Sequence, residues 1–316
     1  MLAPIVLFTY NRVNHTKQVI ESLMQNALSP QSDLIIYSDA PKNTEATQQV
    51  AAVREYLKNL IDSNKDKHVF KSITIIERPY NFGLVDSIID GVTATMNKYG
   101  KAIILEDDIV VSAVFLDYMN DALNRYQAET KVWSINAWSY PIDSHDLGDS
   151  YFWSIPHCWG WGSWSDRWQY FKRDIQWVKQ NFNKADINAI NLGGSTNYFE
   201  QFILNKQGKI KSWAIFNYLI AYKHNALSLA PSISYVYQIG FDGSGVHCGE
   251  EGNILNASTI NTKFPISYPT EIKVSHLAFE RICAFEKSLK KPLWIRIKNK
   301  LVRIFKKTFG NHLRAT

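Results

Sequence analysis

The segment KAIILEDDIVV at 101–111 sets three acids, Glu106, Asp107 and Asp108, between two apolar runs. Adjacent carboxylates repel one another, and each resists leaving water unless positive charge sits among them. Acids of this kind are ordinary where a strand end reaches solvent or a helix begins. They are also what a hard divalent cation, Mn2+ or Mg2+, needs when its other side faces the oxygens of a polyphosphate. The second reading calls for polar groups at neighbouring strand ends, and the chain supplies them. TYNR (Thr9, Asn11, Arg12) follows one apolar run, DAP (Asp39) a second, and RPYNFG (Arg78, Gly83) a third. Four such segments facing one crevice make a stronger pattern than any one of them.

The elements that must carry these segments are legible in the alternation of the first 140 residues. Apolar runs at 3–8, 34–37, 73–76, 102–105 and 132–137 are separated by helical patterns at 16–27, 44–60, 84–97 and 113–126. Val19, Ile20, Leu23 and Met24 show the spacing of one buried helix face. Strands alternating with helices predict an α/β fold with a mostly parallel sheet and helices on both faces. In such sheets ligands gather beyond the carboxyl ends of the strands, where all four polar segments lie.

Several chemistries lose support at this point. The first strand is followed by neither GxxxxGK[ST] nor GxGxxG, which argues against a P-loop ATPase or a dinucleotide-dependent dehydrogenase. No GxSxG elbow follows a strand. Cys158, Cys248 and Cys283 are odd in number and far apart, which suits neither a disulfide framework nor a thiolate zinc site. No apolar run reaches the length of a membrane span, and the short apolar start reads as a strand, so a cytoplasmic location is expected. Sugar transfer from a nucleoside diphosphate does fit, because a cation neutralises the charge that grows on the departing diphosphate.

The net charge of +6 conceals an asymmetry. Ten Lys and Arg residues and no acids lie from Lys287 onward, which leaves the body with 25 bases against 29 acids. Nucleic-acid binding by the body is therefore not expected. Within the tail, Leu293, Ile297, Leu301, Ile304 and Phe305 share a helical face with Trp294, opposite Arg296, Lys300, Arg303 and Lys307. This predicts an amphipathic C-terminal helix that attaches over 292–308 to an anionic membrane surface, or else docks on the body or a partner. Eight of the ten tryptophans fall between Trp133 and Trp177, where they serve either as core or as walls for a sugar ring. Further helices are expected near 167–182 and 213–223. The loop GFDGSGVHC at 240–248 brings an acid, Asp242, and an imidazole, His247.

The segments PIVLFTYNR (4–12), YSD (37–39), NFGL (81–84) and LEDD (105–108) resemble GT-A nucleotide-sugar glycosyltransferases. The Glu-Asp-Asp form is most similar to the N-acetylglucosaminyltransferase I-like branch, and bacterial family 2-like sugar transferases share the layout. The likeness runs over roughly residues 3 to 250, through VWSINAW (132–138), WGWG (159–162) and PSIS (231–234). It implies a GT-A, Rossmann-like fold in which Asp108 ligates the metal and Glu106 and Asp107 contact the donor's sugar or ribose. Thr9 and Arg12 would lie by the nucleotide and Asp39 would hold its base. His247 would stand near the diphosphate, as a metal contact or as an ordinary loop histidine. Asn11, Arg78, Gly83 and Trp213 complete the expected nucleotide-sugar-binding set. One departure matters: the branch has a Trp-Asp pair whose Asp acts as general base, and this chain has Trp213-Ala214. Asp242 is the first substitute and Glu200 the second.

These readings predict a nucleotide-sugar-binding half over 1–140, a Trp-rich acceptor half of the same globule over 141–265, and C-terminal helices over 266–316. The expected activity is metal-dependent, inverting transfer of a hexose or N-acetylglucosamine. The donor would be a UDP-sugar and the acceptor a glycan or lipid-linked acceptor, in surface polysaccharide or lipooligosaccharide synthesis at the inner face of the cytoplasmic membrane. Two rivals remain: a non-catalytic carbohydrate-binding protein, which Ala214 favours, and a nucleotidyltransferase, which the missing glycine in TYNR disfavours.

Overall fold

The computed structural model describes residues 1–243, 254–256 and 259–289. Its first part follows the predicted alternation: β1 (Ile5–Thr9), α1 (Val13–Met24), β2 (Asp33–Ser38), α2 (Thr47–Lys67), β3 (Ser72–Glu77), α3 (Gly83–Tyr99), β4 (Lys101–Glu106), β5 (Ile109–Val111) and α4 (Phe115–Arg125). β6 (Val132–Asn136), β7 (Ser150–Trp153) and β8 (Trp161–Trp164) come next. They precede helices α5 (Ser165–Trp168), α6 (Ile175–Asn181), α7 (Lys184–Ile190), α8 (Phe199–Lys206) and α9 (Ala214–Lys223). β9 (Leu227–Pro231), β10 (Val236–Gln238) and α10 (His276–Ser288) complete the described chain.

Eight strands form one sheet in the order β3-β2-β1-β4-β8-β6-β9-β7. Strands β1 to β4 run parallel, β8 enters antiparallel between β4 and β6, and β6 and β9 are parallel again. Strand alternation sends Ile5, Leu7, Leu34, Ile36, Ile103 and Leu105 to one face, under α1 and α2. Val6, Phe8, Ile35, Tyr37 and Ile104 go to the other face, under Val85, Ile88, Val92 and Met96 of α3. Helices thus cover both faces, as the apolar periodicity predicts, and the architecture is the Rossmann-like α/β arrangement expected of a GT-A protein.

Register decides what meets at the carboxyl edge. Thr9 lies opposite Ser38, Ser38 opposite Glu77, and Phe8 opposite Glu106. The Asp39 N–H donates to the Thr9 carbonyl at 3.0 Å, and the Arg78 N–H to the Ser38 carbonyl at 2.9 Å. Four polar segments distant in sequence are therefore brought to one rim. Just past β4, the chain turns at Asp107 and Asp108 and leaves the main sheet as β5, which pairs with β10.

The aromatic half differs from expectation at one helix and decides between the two roles open to its tryptophans. The pattern over 167–182 is two short helices, because Asp174 starts α6 afresh by accepting from the Gln176 and Trp177 N–H groups at 2.9 Å each. Most tryptophans are also core rather than sugar-facing. Trp133, Trp138, Trp153, Trp161, Trp164 and Trp168 are all buried, while Trp159 and Trp177 keep partial exposure. The glycine between Trp161 and Ser163 serves packing: a Cβ on Gly162 would lie 3.1 Å from the Ala102 carbonyl, Leu123 and Met119.

The described residues after 265 are tied to the body. The Ser275 N–H donates to the Phe152 carbonyl at 2.9 Å, and Ala278, Ile282 and Cys283 of α10 are buried. The expected tail helix over 292–308 lies outside the described residues. Among the described residues, no helix is long and apolar enough to cross a membrane.

Candidate active site

β4 delivers its acids to the rim in a sequence-determined way. Ala102 to Leu105 are apolar and buried, Glu106 follows, and the chain then peels off toward β5. Asp107 and Asp108 sit in that bend, 5% and 7% exposed. The positive charge that such a pair requires comes from Arg12, which immediately precedes α1. Its Nη2 donates to Asp107 Oδ1 and, at 2.8 Å, to Asp108 Oδ2. Burial opposes the charge on Arg12, but Asp107 and Asp108 outweigh it and raise the guanidinium above its ordinary range.

One arginine does not balance three acids. Burial first, then repulsion from Asp108 and Asp107, pushes the Glu106 carboxyl up to about 8. Burial raises Asp107 to about 6 in spite of Arg12. Asp107 Oδ2, Asp108 Oδ1, Arg12 Nη1 and Thr9 Oγ1 are buried with no hydrogen-bond partner among the described residues. Unsatisfied buried oxygens with excess negative charge fit a hard divalent cation. Among the described residues, no three His, Cys, Asp or Glu side chains form a ready cage. The protein's share would therefore be one or two carboxylates, with the other positions left to phosphate and water.

The remaining rim residues divide into those that reach this cluster and those that do not. Asp39 has a different task from the one its position implies. Its Oδ1 accepts from the Ala40 and Phe82 N–H groups at 2.9 Å each, and its Oδ2 from Gly83 N–H at 2.9 Å and Asn81 Nδ2 at 3.1 Å. All four lone-pair directions are taken, so Asp39 clamps the turn before α3 and has no oxygen left for a nucleobase. Gly83 belongs to that clamp, since its φ of +71° is costly for other residues. Arg78 is buried, with its guanidinium 4.2 Å from the Phe82 ring centroid and 4.7 Å from that of Tyr37, and it pairs with Asp90 at 2.5 Å. Asn11 donates to Gln49 at 2.8 Å, tying the first rim segment to α2.

Trp213 lies in the core. It is 4% exposed and stacks on Trp161 with ring centroids 5.3 Å apart, so the expected donor contact gives way to a core role. Asp242 does come to the rim: its Oδ2 pairs with His15 Nε2 at 3.2 Å, and His15 stands in the first turn of α1, three residues past Arg12. Glu200 is exposed in the first turn of α8, and no contact among the described residues links it to the strand ends. His247 lies outside the described residues.

Two participants, His15 and Gly240, were not singled out in the sequence reading, which left Trp159 open between core and wall. His15 could have been found as the residue three beyond Arg12 on α1. Gly240 packs so closely that a Cβ would lie 2.6 Å from Asp108 Oδ2, and the preceding residue, Ile239, donates its N–H to the Asp108 carbonyl at 2.9 Å. The half-buried Trp159 meets Phe241 edge to face at 5.8 Å, directly beside Asp242. Nothing short of the fold brings 159 to 241.

The family model of the GNT-I family matches residues 1–146, just under half of the chain. The resemblance drawn from the rim motifs to the N-acetylglucosaminyltransferase I-like branch is borne out over that span. Among curated protein sequences there is no match. Two solved structures are similar at low identity. The crystal structure of S. aureus TarS shares 9% identity over 44% of this chain and 22% of that one, with a TM-score of 0.31. UDP-glucose pyrophosphorylase complexed with UDP-glucose shares 12% identity over 80% of this chain and 96% of that one, with a TM-score of 0.41. The chain thus spans about a fifth of the TarS chain it matches.

Proposed function

We propose that the protein is a metal-dependent, inverting glycosyltransferase. It would move a sugar, N-acetylglucosamine or a related hexose, from a UDP-sugar to a glycan or lipid-linked acceptor in surface polysaccharide or lipooligosaccharide synthesis. The observation that carries this reading is the buried cluster at the end of β4, where Asp107 and Asp108 keep unsatisfied oxygens beside Arg12 and Thr9. The GNT-I family match over the segment that holds this cluster supports the same reading.

In this proposal Asp108 and Asp107 hold Mn2+ or Mg2+, which when bound neutralises charge on the departing diphosphate. Arg12 adds a second positive group on the same side, and the Thr9 hydroxyl offers a buried hydrogen bond. The acceptor hydroxyl needs a group to take its proton, and Ala214 cannot. Asp242 is the better placed of the two candidates, since its pairing with His15 holds it at the rim, whereas Glu200 has no described tie to it. Trp159 and Phe241 offer an apolar wall next to Asp242 for the face of an acceptor ring. The basic tail over 292–308 would bring the enzyme to the anionic inner face of the cytoplasmic membrane, where lipid-linked acceptors lie.

A panel of nucleotide sugars scored by thermal shift, with Mn2+ or with EDTA, tests the donor assignment. A UDP-sugar, foremost UDP-N-acetylglucosamine, should raise the melting point only with Mn2+, because a ligand of the native state stabilises it by mass action. A panel without any shift, or with equal shifts in EDTA, would refute it. The rival non-catalytic reading, favoured by Ala214, expects sugar binding indifferent to both UDP and Mn2+.

A further inference from the structure

We infer that Arg12 is a displaceable counter-ion: a divalent cation at Asp107 and Asp108 competes with its guanidinium, and the released guanidinium turns to the anion that accompanies the cation. The competition needs only the acids and Arg12; the second half rests on the nucleotide-sugar reading above.

The way in which Arg12 is bonded separates it from a structural arginine. Arg167, 3% exposed, uses Nε, Nη1 and Nη2 on the Val132, Gln127 and Tyr126 carbonyls, with Asp166 as its acid. Every nitrogen is engaged, and nothing about that site invites a second occupant. Arg12 engages the acids through Nη2 alone, one oxygen from each. This is not the two-pronged fork in which a guanidinium holds a carboxylate best. Its Nη1 is buried and unpartnered among the described residues, and so is one oxygen on each acid. Three charged groups therefore share a minimal contact, and each has bonding capacity to spare.

The partners also differ in freedom. Asp108 is held from behind: its carbonyl accepts the Ile239 N–H, and Gly240 leaves no room beyond its Oδ2 for so much as a Cβ. Arg12 is a long side chain at the start of a helix, with 19% of its side chain exposed. When a hard cation and a guanidinium contend for the same carboxylates, the arginine is the one that can leave. A guanidinium freed beside a bound diphosphate would favour that anion, so cation and nucleotide would each tighten the other reciprocally.

Titration calorimetry of the full chain with Mn2+ alone, and with UDP in the presence of Mn2+, tests this on the wild type, Arg12→Met and Arg12→Lys. Without nucleotide, Arg12→Met should bind Mn2+ about tenfold more tightly than the wild type, with Arg12→Lys between them. UDP affinity in Mn2+ should fall in Arg12→Met. Unchanged or weaker Mn2+ binding by Arg12→Met would overturn the inference. Should Arg12→Met fail to melt cooperatively, the guanidinium 15N–1H resonance of Arg12 decides, assigned by its loss in Arg12→Lys. It should shift on titrating the wild type with Mg2+, and a resonance blind to Mg2+ would overturn the inference. The two readings fail separately. Tighter Mn2+ binding in Arg12→Met without any UDP binding keeps the competition and removes the nucleotide-sugar reading. UDP binding that needs Mn2+, with Mn2+ affinity insensitive to Arg12, does the opposite.

Discussion

The rim of β1 to β4 and the aromatic half around β6, β8 and β9 both bury many polar groups, but they dispose of them differently. In the aromatic half the polar atoms mostly close on one another. Trp133 Nε1 donates to Asn217 at 2.9 Å, the Ser134 and Ser228 hydroxyls meet at 2.8 Å, and the Asn136 amide donates to the Ile155 carbonyl at 3.1 Å. Its unpartnered atoms, such as Trp153 Nε1 and Trp161 Nε1, are neutral and scattered. At the rim many of the unpartnered atoms belong to charged groups, with Arg12, Asp107 and Asp108 in one cluster and others on Arg54 and Arg78. Satisfied networks fix a fold, whereas concentrated unsatisfied charge marks a place prepared for something else.

If that division is right, damage in the aromatic half should act on stability and leave the site's chemistry intact. Trp161→Ala, in the stack with Trp213 and Trp168, should cost about 3–5 kcal/mol in denaturant unfolding. The fraction still folded should keep wild-type affinity for UDP, and a parallel loss of affinity would break the division. Asp39 sharpens it from the other side, being a rim residue whose role is closure. Asp39→Ala strands the Phe82 and Gly83 N–H groups and should cost about 1–3 kcal/mol, read as a lower Tm. A stability change near zero with lost nucleotide binding would return Asp39 to the ligand set. Gly83→Ala, forced to a φ of +71°, should cost about 1–2 kcal/mol by the same measurement.

The smallest effect is expected from His157, whose ring stacks on Trp153 and meets Trp138 and Tyr140 edge-on. Burial lowers it to about 3 from an ordinary 6.5, so the unfolded chain takes up a proton before the folded protein does. Stability should therefore fall as pH drops through 6.5 toward 3 and be unaffected above 7. Since the ring is partly exposed, the loss should be about 1 kcal/mol. His157→Gln should flatten that acid limb in urea titrations at several pH values, and an unchanged slope would assign it elsewhere.

The alternation that predicts β1 to β4 and their helices is strong because β1, β2 and β4 bury both faces and each helix only one, so the two periods are distinct. Over 167–182 the aromatic residues mimic a continuous apolar face, and the restart at Asp174 depends on one capping side chain that such a pattern hides. Whether a tryptophan is wall or core was undecidable locally, because what Gly162 must clear is Ala102, Met119 and Leu123, distant in sequence. The three acids were legible as a site, and a bound ion was the expected source of their positive charge. Arg12, 95 residues earlier, supplies part of it, and only the pairing of Phe8 with Glu106 brings the two together. The Asp39 clamp was invisible for a related reason: three of its four donors are backbone amides.

We propose that the acids where β4 ends hold a nucleoside diphosphate by way of a divalent cation. Titration of UDP into the wild type and Asp108→Ala, each with Mn2+ and with EDTA, tests it most directly. Saturable UDP binding by the wild type in Mn2+, abolished by EDTA and by Asp108→Ala alike, is the expected result. Equal UDP affinity in all four titrations, with both proteins folded, would contradict it.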